Sequence, residues 1–495
     1  MNVEQPKYPT LYQVNTRVWL TELSHDLGRP ATLDDIPESE LDALATRGFD
    51  WIWLLSVWTT GHGSRKISLQ NPEWRREFEE TLPDLKDEDI GGSGFAITAY
   101  NVHPEIGGNA ALKRLRAKLS DRGLRLMLDF VPNHMGPDHP WVEQHPDYFV
   151  PGTEDDLRNY PQNYTLVKRK KGDMILAYGR DPFFAGWPDT LQLDYSNPET
   201  LVAMTRELQR ISRQCDGVRC DMAMLILPEV FERTWGRAGL SFWPETIKTV
   251  HAKVPGFCFM AEVYWDLEWT LQQLGFNYTY DKRLYDRLNQ GLARPVREHF
   301  LAEADFQDRL ARFMENHDEP RAASVFEQNK HKAAAVITYL SPGLRFLHQG
   351  QPEGREKRIS PHLVRAPEEQ IRTNLQEFYA QLLSILRKPV FRDGIWRLCE
   401  CAPAWEGNGS WDSFLAFAWE AADGSRALVV VNYSVNAGQC YVNIPFTDIA
   451  GKLIRFKDLM STACYDRAGT ELIMKGLYLD LTAWGYHVFE INNTK

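Results

Sequence analysis

The sequence predicts an α/β protein built on a (β/α)8 TIM barrel, with an inserted small domain after strand 3 and a C-terminal antiparallel β-sandwich domain. Three observations support this prediction. Eight short apolar segments alternate with helical segments over residues 11–387, which is the rhythm of a parallel barrel. Four of these apolar segments end in acidic or imidazole side chains. After about Pro389 the helical periodicity gives way to short alternating strands separated by turn residues.

The barrel strands are predicted from apolar runs that are bounded by turn residues. The run 49–58 is apolar nearly throughout, as is usual for a parallel strand that is buried on both faces. Amphipathic segments such as 109–122 and 198–213 are predicted as helices between the strands. The predicted strands are residues 11–20, 49–58, 124–130, 217–221, 257–263, 276–280, 311–315 and 343–348.

Two connections of the predicted barrel are unusually long. Residues 59–105 contain several glycines and exceed an ordinary barrel loop, and such loops usually serve function. Residues 135–190 are rich in Pro, Asp and Tyr and predict the inserted domain, with a hairpin over 166–178 that turns at 170–173.

These patterns divide the chain into three parts. The barrel is predicted at residues 1–134 and 191–389, the inserted domain B at 135–190, and the C-terminal β domain at 390–495. The strands predicted in the C-terminal domain are residues 414–419, 427–432, 440–444 and 487–491.

Composition limits the partners and the compartment. The 495 residues carry a net charge of −11, which argues against nucleic acid or an anionic membrane surface as a partner, since both need basic patches. No apolar run is long enough for a membrane span, and residues 1–20 lack the apolar core of a signal peptide. Seven cysteines without a close-spaced metal pattern indicate reduced thiols, so a cytoplasmic protein is predicted.

The residues that could carry chemistry lie at the ends of four predicted strands. Residues two apart in a strand share a face, so Arg219 points the same way as Asp221, and Met260 the same way as Glu262. The carboxyl ends of barrel strands are where catalytic groups gather. The four segments are residues 126–134, 217–221, 259–263 and 313–318.

Paired carboxylates at such a site suit the cleavage of an acetal bond between two sugars. Asp221 is the predicted nucleophile, because the nearby Arg219 favours its ionised form. Glu262 lies in an apolar setting and is the predicted general acid, since burial and neighbouring carboxylates would raise its pKa.

Three further side chains complete the candidate site. Asp318 would be a third acid, and His134 and His317 could hydrogen-bond sugar hydroxyls. Taken singly, each motif is more often structural, since a buried Asp–Arg pair is usually an ion pair. Their conjunction at the same end of successive strands favours an active site.

These motifs resemble the four signature regions of the α-amylase family, glycoside hydrolase family 13. Residues 192–195 also resemble the short motif that ends the family's inserted domain, and residues 94–108 resemble the segment after its second strand. The resemblance covers nearly the whole chain and implies the barrel fold and a retaining glycosidase. The segments that match the signature regions are residues 129–134, 217–221, 261–262 and 315–318.

The resemblance implies a role for each matched position. Asp221 matches the nucleophile that forms a covalent glycosyl intermediate, Glu262 the general acid and base, and Asp318 the carboxylate that stabilises the oxocarbenium-like state. Arg219 matches the residue that orients the nucleophile, and Asp129 matches a mainly structural acid that braces this arginine. The imidazoles that contact the sugar are matched by His134 and His317.

Two departures from the family pattern bear on specificity and on metal binding. Many α-amylases carry a Lys-His pair that contacts sugars beyond the scissile bond. Here Met224 and Leu225 take its place, which predicts a more apolar acceptor side. Asn133 matches a frequent calcium ligand, which leaves a calcium ion open as a cofactor; no other cofactor is predicted. The aromatic residues proposed to stack on sugar rings are Phe95, Tyr100, Trp187, Tyr264 and Trp265.

The sequence therefore predicts a retaining α-glycoside hydrolase that acts on α-1,4-glucans or maltooligosaccharides. One alternative is a transglycosidase, of the glucanotransferase or phosphorylase type, that passes the same covalent intermediate to a sugar or to phosphate. Another is a non-catalytic sugar-binding barrel, since fold alone does not fix function. The presence of all three acids disfavours this last alternative.

Overall fold

The computed structural model describes residues 5–494, and its centre is a closed barrel of eight parallel strands. Strand β1 closes the barrel, because it pairs in parallel with both β2 and β8. The predicted (β/α)8 barrel is therefore confirmed. The strands are β1 (Thr10–Asn15), β2 (Trp51–Leu55), β3 (Arg125–Phe130), β4 (Gly217–Cys220), β5 (Cys258–Ala261), β6 (Tyr278–Tyr280), β7 (Leu310–Arg312) and β8 (Leu344–His348).

Helices surround the barrel and also occupy the connections between its strands. In the outer layer they are Thr16–Leu27, Glu38–Thr46, Gly108–Ser120, Pro198–Ile211, Trp243–His251, Glu268–Gln273, Lys282–Gln290, Ala293–His299, Ala322–Val325, Gln328–Tyr339, Thr373–Leu386 and Pro389–Asp393. In the connections and the C-terminal domain they are His62–Gln70, Pro72–Thr81, Trp141–Gln144, Glu154–Asn159, Pro228–Trp235, Ala304–Gln307 and Gly469–Lys475.

Several predicted strand boundaries are wrong. The first strand was expected over residues 11–20, but the chain turns into a helix at Thr16. The side chain of Asn15 accepts a hydrogen bond from the Val18 amide, and this N-cap outweighs the alternating pattern. Strands β6 and β7 are also shorter than predicted.

The connection over residues 59–105, expected to be longer than an ordinary barrel loop, contains regular structure. Its α-helices are His62–Gln70 and Pro72–Thr81, and Trp58–Thr60 pairs in antiparallel fashion with Ile97–Val102. The side chain of Asn71 caps the second helix, and Pro72 occupies its first turn, a favoured start for a helix. The connection after β2 is therefore a folded part of the rim of the barrel.

The inserted segment between β3 and β4 leaves the barrel through a short two-stranded neck. His134–Met135 pair in antiparallel fashion with Leu191–Gln192. Within the insertion, Tyr164–Val167 and Met174–Ala177 form the predicted hairpin. The ends of the insertion are therefore held side by side at the edge of the barrel.

The C-terminal strands form two antiparallel sheets that pack face to face, which confirms the β-sandwich. One sheet has the order β9-β11-β12-β17-β14-β15 and the other β10-β13-β16. Phe414 and Val430 from the first sheet share a buried cluster with Cys440 and Leu479 from the second. The strands are β9 (Ile395–Cys399), β10 (Cys401–Pro403), β11 (Phe414–Glu420), β12 (Arg426–Asn432), β13 (Gly438–Val442), β14 (Leu453–Asp458), β15 (Cys464–Ala468), β16 (Leu477–Leu481) and β17 (Tyr486–Thr494).

The structure bears on two of the compositional expectations. Within residues 5–494 every helix is too short or too polar to cross a bilayer. All seven cysteines are free thiols, and six of them are buried. Residues 1–4 of the segment predicted to lack a signal peptide lie outside the described residues.

Candidate active site

Parallel register brings the acids of neighbouring strands to one level. Arg219 in β4 is level with Asp129 in β3 and with Met260 in β5. Asp221 and Glu262 each lie two residues further along their strands, so they emerge together at the carboxyl end of the barrel. Asp318 reaches the same place from the connection after β7.

A single buried guanidinium links all four carboxylates. Arg219 Nη1 lies 2.6 Å from Asp221 Oδ1, and Nη2 lies 2.7 Å from Glu262 Oε2. Asp129 Oδ1 and Asp318 Oδ2 each lie 3.9 Å from the same group. The Arg219 side chain is fully buried, so these interactions are weakly screened by water.

One positive charge cannot neutralise four ionised carboxylates, and the pKa values of Asp129, Glu262 and Asp318 are all raised. Burial and the negative charges of Asp221 and Asp318, opposed by Arg219, raise the pKa of Glu262 to about 8. Burial also raises the pKa of Asp129 to about 7, and partial desolvation raises that of Asp318, whose side chain is still partly exposed at the cavity. Glu262 is therefore protonated at neutral pH, the state that a general acid needs.

Both oxygens of Glu262 are held in place. The Met222 amide donates to Oε2 at 2.7 Å, and the Tyr264 hydroxyl donates to Oε1 at 2.9 Å. Met222 has a φ of 40°, a left-handed conformation that is uncommon outside glycine. The turn after the nucleophile strand thus aims a backbone donor at the acid of the next strand.

A hydrogen bond with Gln13 in β1 determines which ring nitrogen of His317 carries the proton. The Gln13 amide nitrogen lies 2.9 Å from His317 Nδ1, which leaves the ring proton on Nε2, 3.1 Å from Asp318 Oδ2. Phe95 stacks on this imidazole with ring centroids 5.4 Å apart. Burial lowers the pKa of both His317 and His134, so both rings are neutral. His134 lines the cavity, whereas His317, expected to contact a sugar hydroxyl, does not and faces Gln13 and Asp318.

Asp129 lies beneath the site and does not line the cavity. Its carboxylate accepts hydrogen bonds from Trp53 Nε1 at 3.2 Å and from the Ser56 amide at 3.3 Å. Its backbone carbonyl accepts one from Trp58 Nε1 at 2.7 Å. The Asp129 carboxylate comes no closer than 3.9 Å to Arg219 Nη1, so the expectation that it braces this arginine stays a prediction.

The acids open into a cavity of about 410 Å³, within the range of small-molecule sites. Of the predicted residues, Asp221, Glu262 and Asp318 line it, as do four predicted contact residues. Those four are Phe95, His134, Trp187 and Tyr264.

Three predictions about the walls of the cavity are corrected. Tyr100 was expected to stack on a sugar, but its hydroxyl donates to the Val131 carbonyl and accepts from the Val131 amide beneath the site. The apolar acceptor side expected from Met224 and Leu225 is absent from the cavity, because both side chains are buried in the core. Trp265 lies outside this cavity, next to Tyr264.

Asn133, which matches a calcium ligand, is hydrogen-bonded within the protein. Its Oδ1 accepts from Gln192 Nε2 at 3.0 Å, which occupies one of the two acceptor positions of that oxygen. Among residues 5–494, no three His, Cys, Asp or Glu side chains lie together in a way that could hold a metal. Calcium sites usually need several oxygen ligands that include carboxylates, so the described residues do not fit a calcium ion at Asn133.

Sequence reasoning missed several side chains at the site. Gln13 lies in a plain strand, and Met222 directs its amide only because of its backbone conformation. Asp189 lines the cavity and accepts a hydrogen bond from Ser64 at 2.7 Å. Its position just before the 192–195 motif was the one available signal. Arg358 and His362 come from the long connection after β8, which carries no recognised motif.

Comparison with known proteins gives partial matches in sequence. Alpha-amylase 3 of Dictyoglomus thermophilum is 24% identical over 302 residues, 55% of this chain and 56% of that protein. An α-1,4-glucan:maltose-1-phosphate maltosyltransferase of Salinibacter ruber is 32% identical over 150 residues, 28% of this chain and 20% of that protein. The chain therefore spans little more than half the length of the first of these curated relatives and a fifth of the second.

The fold and the family are established by broader matches. A maltogenic α-amylase from Thermotoga neapolitana superimposes with a TM-score of 0.69 at 16% identity, covering 99% of both chains. The family model described as alpha amylase, catalytic domain, matches residues 38–396. Because that match covers well more than half of the chain, the chain belongs to the α-amylase family.

Proposed function

We propose that this protein is a retaining α-glycoside hydrolase that acts on α-1,4-linked maltooligosaccharides through a covalent intermediate on Asp221. One observation carries the proposal. Asp221 and Glu262 contact the two terminal nitrogens of Arg219 at the floor of one cavity. The two carboxyl groups are thus held by one guanidinium, an arrangement compatible with the roughly 5 Å spacing of retaining enzymes.

In the first step, an Asp221 oxygen attacks the anomeric carbon while Glu262 gives its proton to the glycosidic oxygen. The bond between that carbon and the leaving oxygen breaks, and the released sugar carries the proton away. In the second step, the Glu262 carboxylate takes a proton from water, the water oxygen attacks the same carbon, and Asp221 leaves. Each carboxyl group ends in its starting state.

The surrounding residues suit the charge that develops on the sugar. Asp318 lies at the cavity with a side chain that is 42% exposed, so a ring with oxocarbenium character can approach it. His134 lines the cavity as a neutral imidazole able to bond hydroxyl groups. Arg219 keeps Asp221 aligned for attack.

The test is incubation with starch, maltotriose, sucrose, trehalose and isomaltose, with the products resolved by chromatography. We expect hydrolysis of the α-1,4 substrates and no turnover by Asp221→Asn, whose folding should be intact. Near-wild-type rates in this variant would refute the mechanism. Absence of turnover by the wild type on every substrate would favour the non-catalytic alternative.

Transfer to a sugar or to phosphate is the second candidate function. Its support is the match to the maltosyltransferase of Salinibacter ruber. The sequence argument for it, an apolar acceptor side at Met224 and Leu225, is lost because both residues are buried. Longer oligosaccharides or a sugar phosphate, formed when glucose or phosphate is added to the incubation, would favour transfer over hydrolysis.

The seven free thiols support a cytoplasmic location. The cytosol keeps cysteines reduced, so we propose that the protein is cytoplasmic. The expected partner is a neutral oligosaccharide.

A further inference from the structure

A second cavity lies at the carboxyl ends of β1 and β2, apart from the cavity that holds the catalytic acids. It has a volume of about 270 Å³ and lies between the helix Thr16–Leu27 and the connections after β2 and β8. No residue lines both cavities. The polar side chains along its wall include Arg17, Ser56, Thr60, His103 and Glu105.

Arg17 is a partly buried cation without an acidic partner. Its Nη1 donates to the Gly92 carbonyl at 2.7 Å, and its Nη2 donates to Thr60 Oγ1 at 3.0 Å. Both acceptors are neutral, and within residues 5–494 Arg17 forms no salt bridge. Burial lowers the pKa of Arg17 to about 10, although the charge of Glu105 opposes this effect. A guanidinium carries five N–H donors, so several remain for an anion.

Arg345 shows how the same fold accommodates an arginine with a purely structural role. It is fully buried, and its three side-chain nitrogens each donate to a backbone carbonyl, those of Tyr8, Tyr339 and Phe391. Arg17 has such acceptors for two nitrogens, and its Nε has none in the described part of the chain. Arg17 therefore keeps free donors beside a cavity, which a structural arginine does not need.

A second donor at the cavity is also without a partner in the protein. Ser56 follows β2, is 4% exposed and lines the cavity. Its amide bonds the Asp129 carboxylate, but its hydroxyl makes no hydrogen bond to any of residues 5–494. Its φ is 65°, a left-handed conformation that costs free energy and is concentrated at functional sites. The chain thus holds a buried hydroxyl in the cavity wall without using it internally.

A glycine-rich turn, residues 91–94, packs against both donors. An added Cβ at Gly94 would lie 1.9 Å from Ser56 Oγ, and one at Gly91 would lie 3.4 Å from Arg17 Nη1. Side chains at these two positions would displace or cover the donors. Glycine is commonly used where the backbone closely approaches a ligand, so the turn is compatible with a binding site.

We propose that Arg17, Ser56 and Thr60 bind a phosphate group, either as the free ion or as part of a sugar phosphate. Guanidinium and hydroxyl donors suit an anion whose oxygens accept hydrogen bonds from several directions, and charge assistance strengthens these bonds. Glu105 is the only acid among the residues that line the cavity; its side chain is 87% exposed and lies 3.8 Å from His103. This carboxylate can turn into solvent when an anion enters.

The test is calorimetric titration of the full chain with inorganic phosphate, glucose 6-phosphate and acetate at constant ionic strength. We expect phosphate to bind with a dissociation constant below about 1 mM and acetate to bind at least about tenfold more weakly. Tighter binding of glucose 6-phosphate would identify a sugar phosphate as the ligand, and tighter binding of phosphate the free ion. Absence of binding by both phosphates, or equal binding of acetate, would overturn the proposal.

Ser56→Ala removes a hydroxyl that has no internal partner, so the fold should be retained. We expect this variant to bind the preferred phosphate ligand about tenfold more weakly, the effect of losing one hydrogen bond to a charged group. Arg17→Gln should weaken binding further. The matched control is Arg29→Gln, because Arg29 adjoins Pro30 of the cavity wall but is exposed and paired with Asp35. Unchanged binding in folded Ser56→Ala and Arg17→Gln, or an equal loss in the control, would overturn the assignment.

Glu105→Gln tests the location from the opposite direction. Removing this exposed negative charge should tighten binding of the same ligand about two- to fivefold. Weaker binding in this variant would place the anion elsewhere. Displacement of phosphate by maltotriose, measured in Asp221→Asn to prevent turnover, would place it in the catalytic cavity and would likewise overturn the proposal.

Discussion

Replacing Glu262 with Gln removes the proton donor and keeps its shape. The Gln carbonyl oxygen can still accept a hydrogen bond from the Met222 amide. The hydrogen bond to Tyr264 reverses its direction, because the Gln amide nitrogen donates to the Tyr264 hydroxyl oxygen. The fold should therefore persist. What is lost is proton transfer, which contributes about 10²- to 10⁴-fold, or roughly 3–5 kcal/mol at 1.36 kcal/mol per factor of ten.

That loss should depend on the leaving group. For maltotriose, kcat/KM should fall by the full factor, because a sugar alkoxide is a poor leaving group. For a dinitrophenyl α-glucoside, whose phenolate leaves unprotonated, kcat/KM should fall by less than about tenfold. Added azide should restore kcat with the aryl substrate, because an anionic nucleophile needs no general base.

The control for this experiment is Glu268→Gln. Glu268 is also buried, and burial raises its pKa to about 7, but it does not line the cavity. Both substrates should be turned over normally by this variant. An equal loss on maltotriose and the aryl glucoside in Glu262→Gln would refute the assignment of Glu262 as the proton donor.

Three further outcomes are expected. The rate on maltotriose should fall as the pH rises through about 8, because Glu262 is active when protonated and its raised pKa keeps it so below that point; an unchanged rate at pH 10 would contradict this. Chelation by EDTA should leave the melting temperature unchanged, because an amide of Gln192 bonds Asn133; a fall reversed by calcium would contradict it. Tyr100→Phe should lower the free energy of unfolding by about 1–3 kcal/mol, with kcat unchanged, because two buried hydrogen bonds to Val131 are lost; denaturant unfolding and steady-state kinetics measure both.

The parts of the site that could be predicted from the sequence are those fixed by strand periodicity. Asp221 and Glu262 follow strands whose two-residue alternation and parallel register determine where the side chains point. Tyr100 was misplaced because it belongs to a short bulged pair of strands, where alternation no longer indicates the exposed face. The hydrophobic pattern identified the barrel, but it did not reveal that Asn15 ends β1.

The wall of the cavity formed by the connections after β2 and β8 could not be predicted from the sequence for a different reason. Glu77 and Arg358 are 281 positions apart and meet because two connections pack against each other. Each connection reads as an ordinary polar segment when taken alone. Contacts of this kind depend on tertiary packing, for which no local pattern exists.

The two-stranded neck at His134–Met135 and Leu191–Gln192 connects the inserted segment to the barrel that carries the catalytic acids. Because the ends of the insertion are already paired, lengthening a loop within it costs only about 0.6 kcal/mol per doubling of the loop length. The inserted segment can therefore be replaced by another one. Such a replacement would change Trp187 and Asp189, which line the cavity, while His134 in the neck stays in place. A chimaera that carries a different inserted segment on this neck should change its preference among sugars and keep the same catalytic acids.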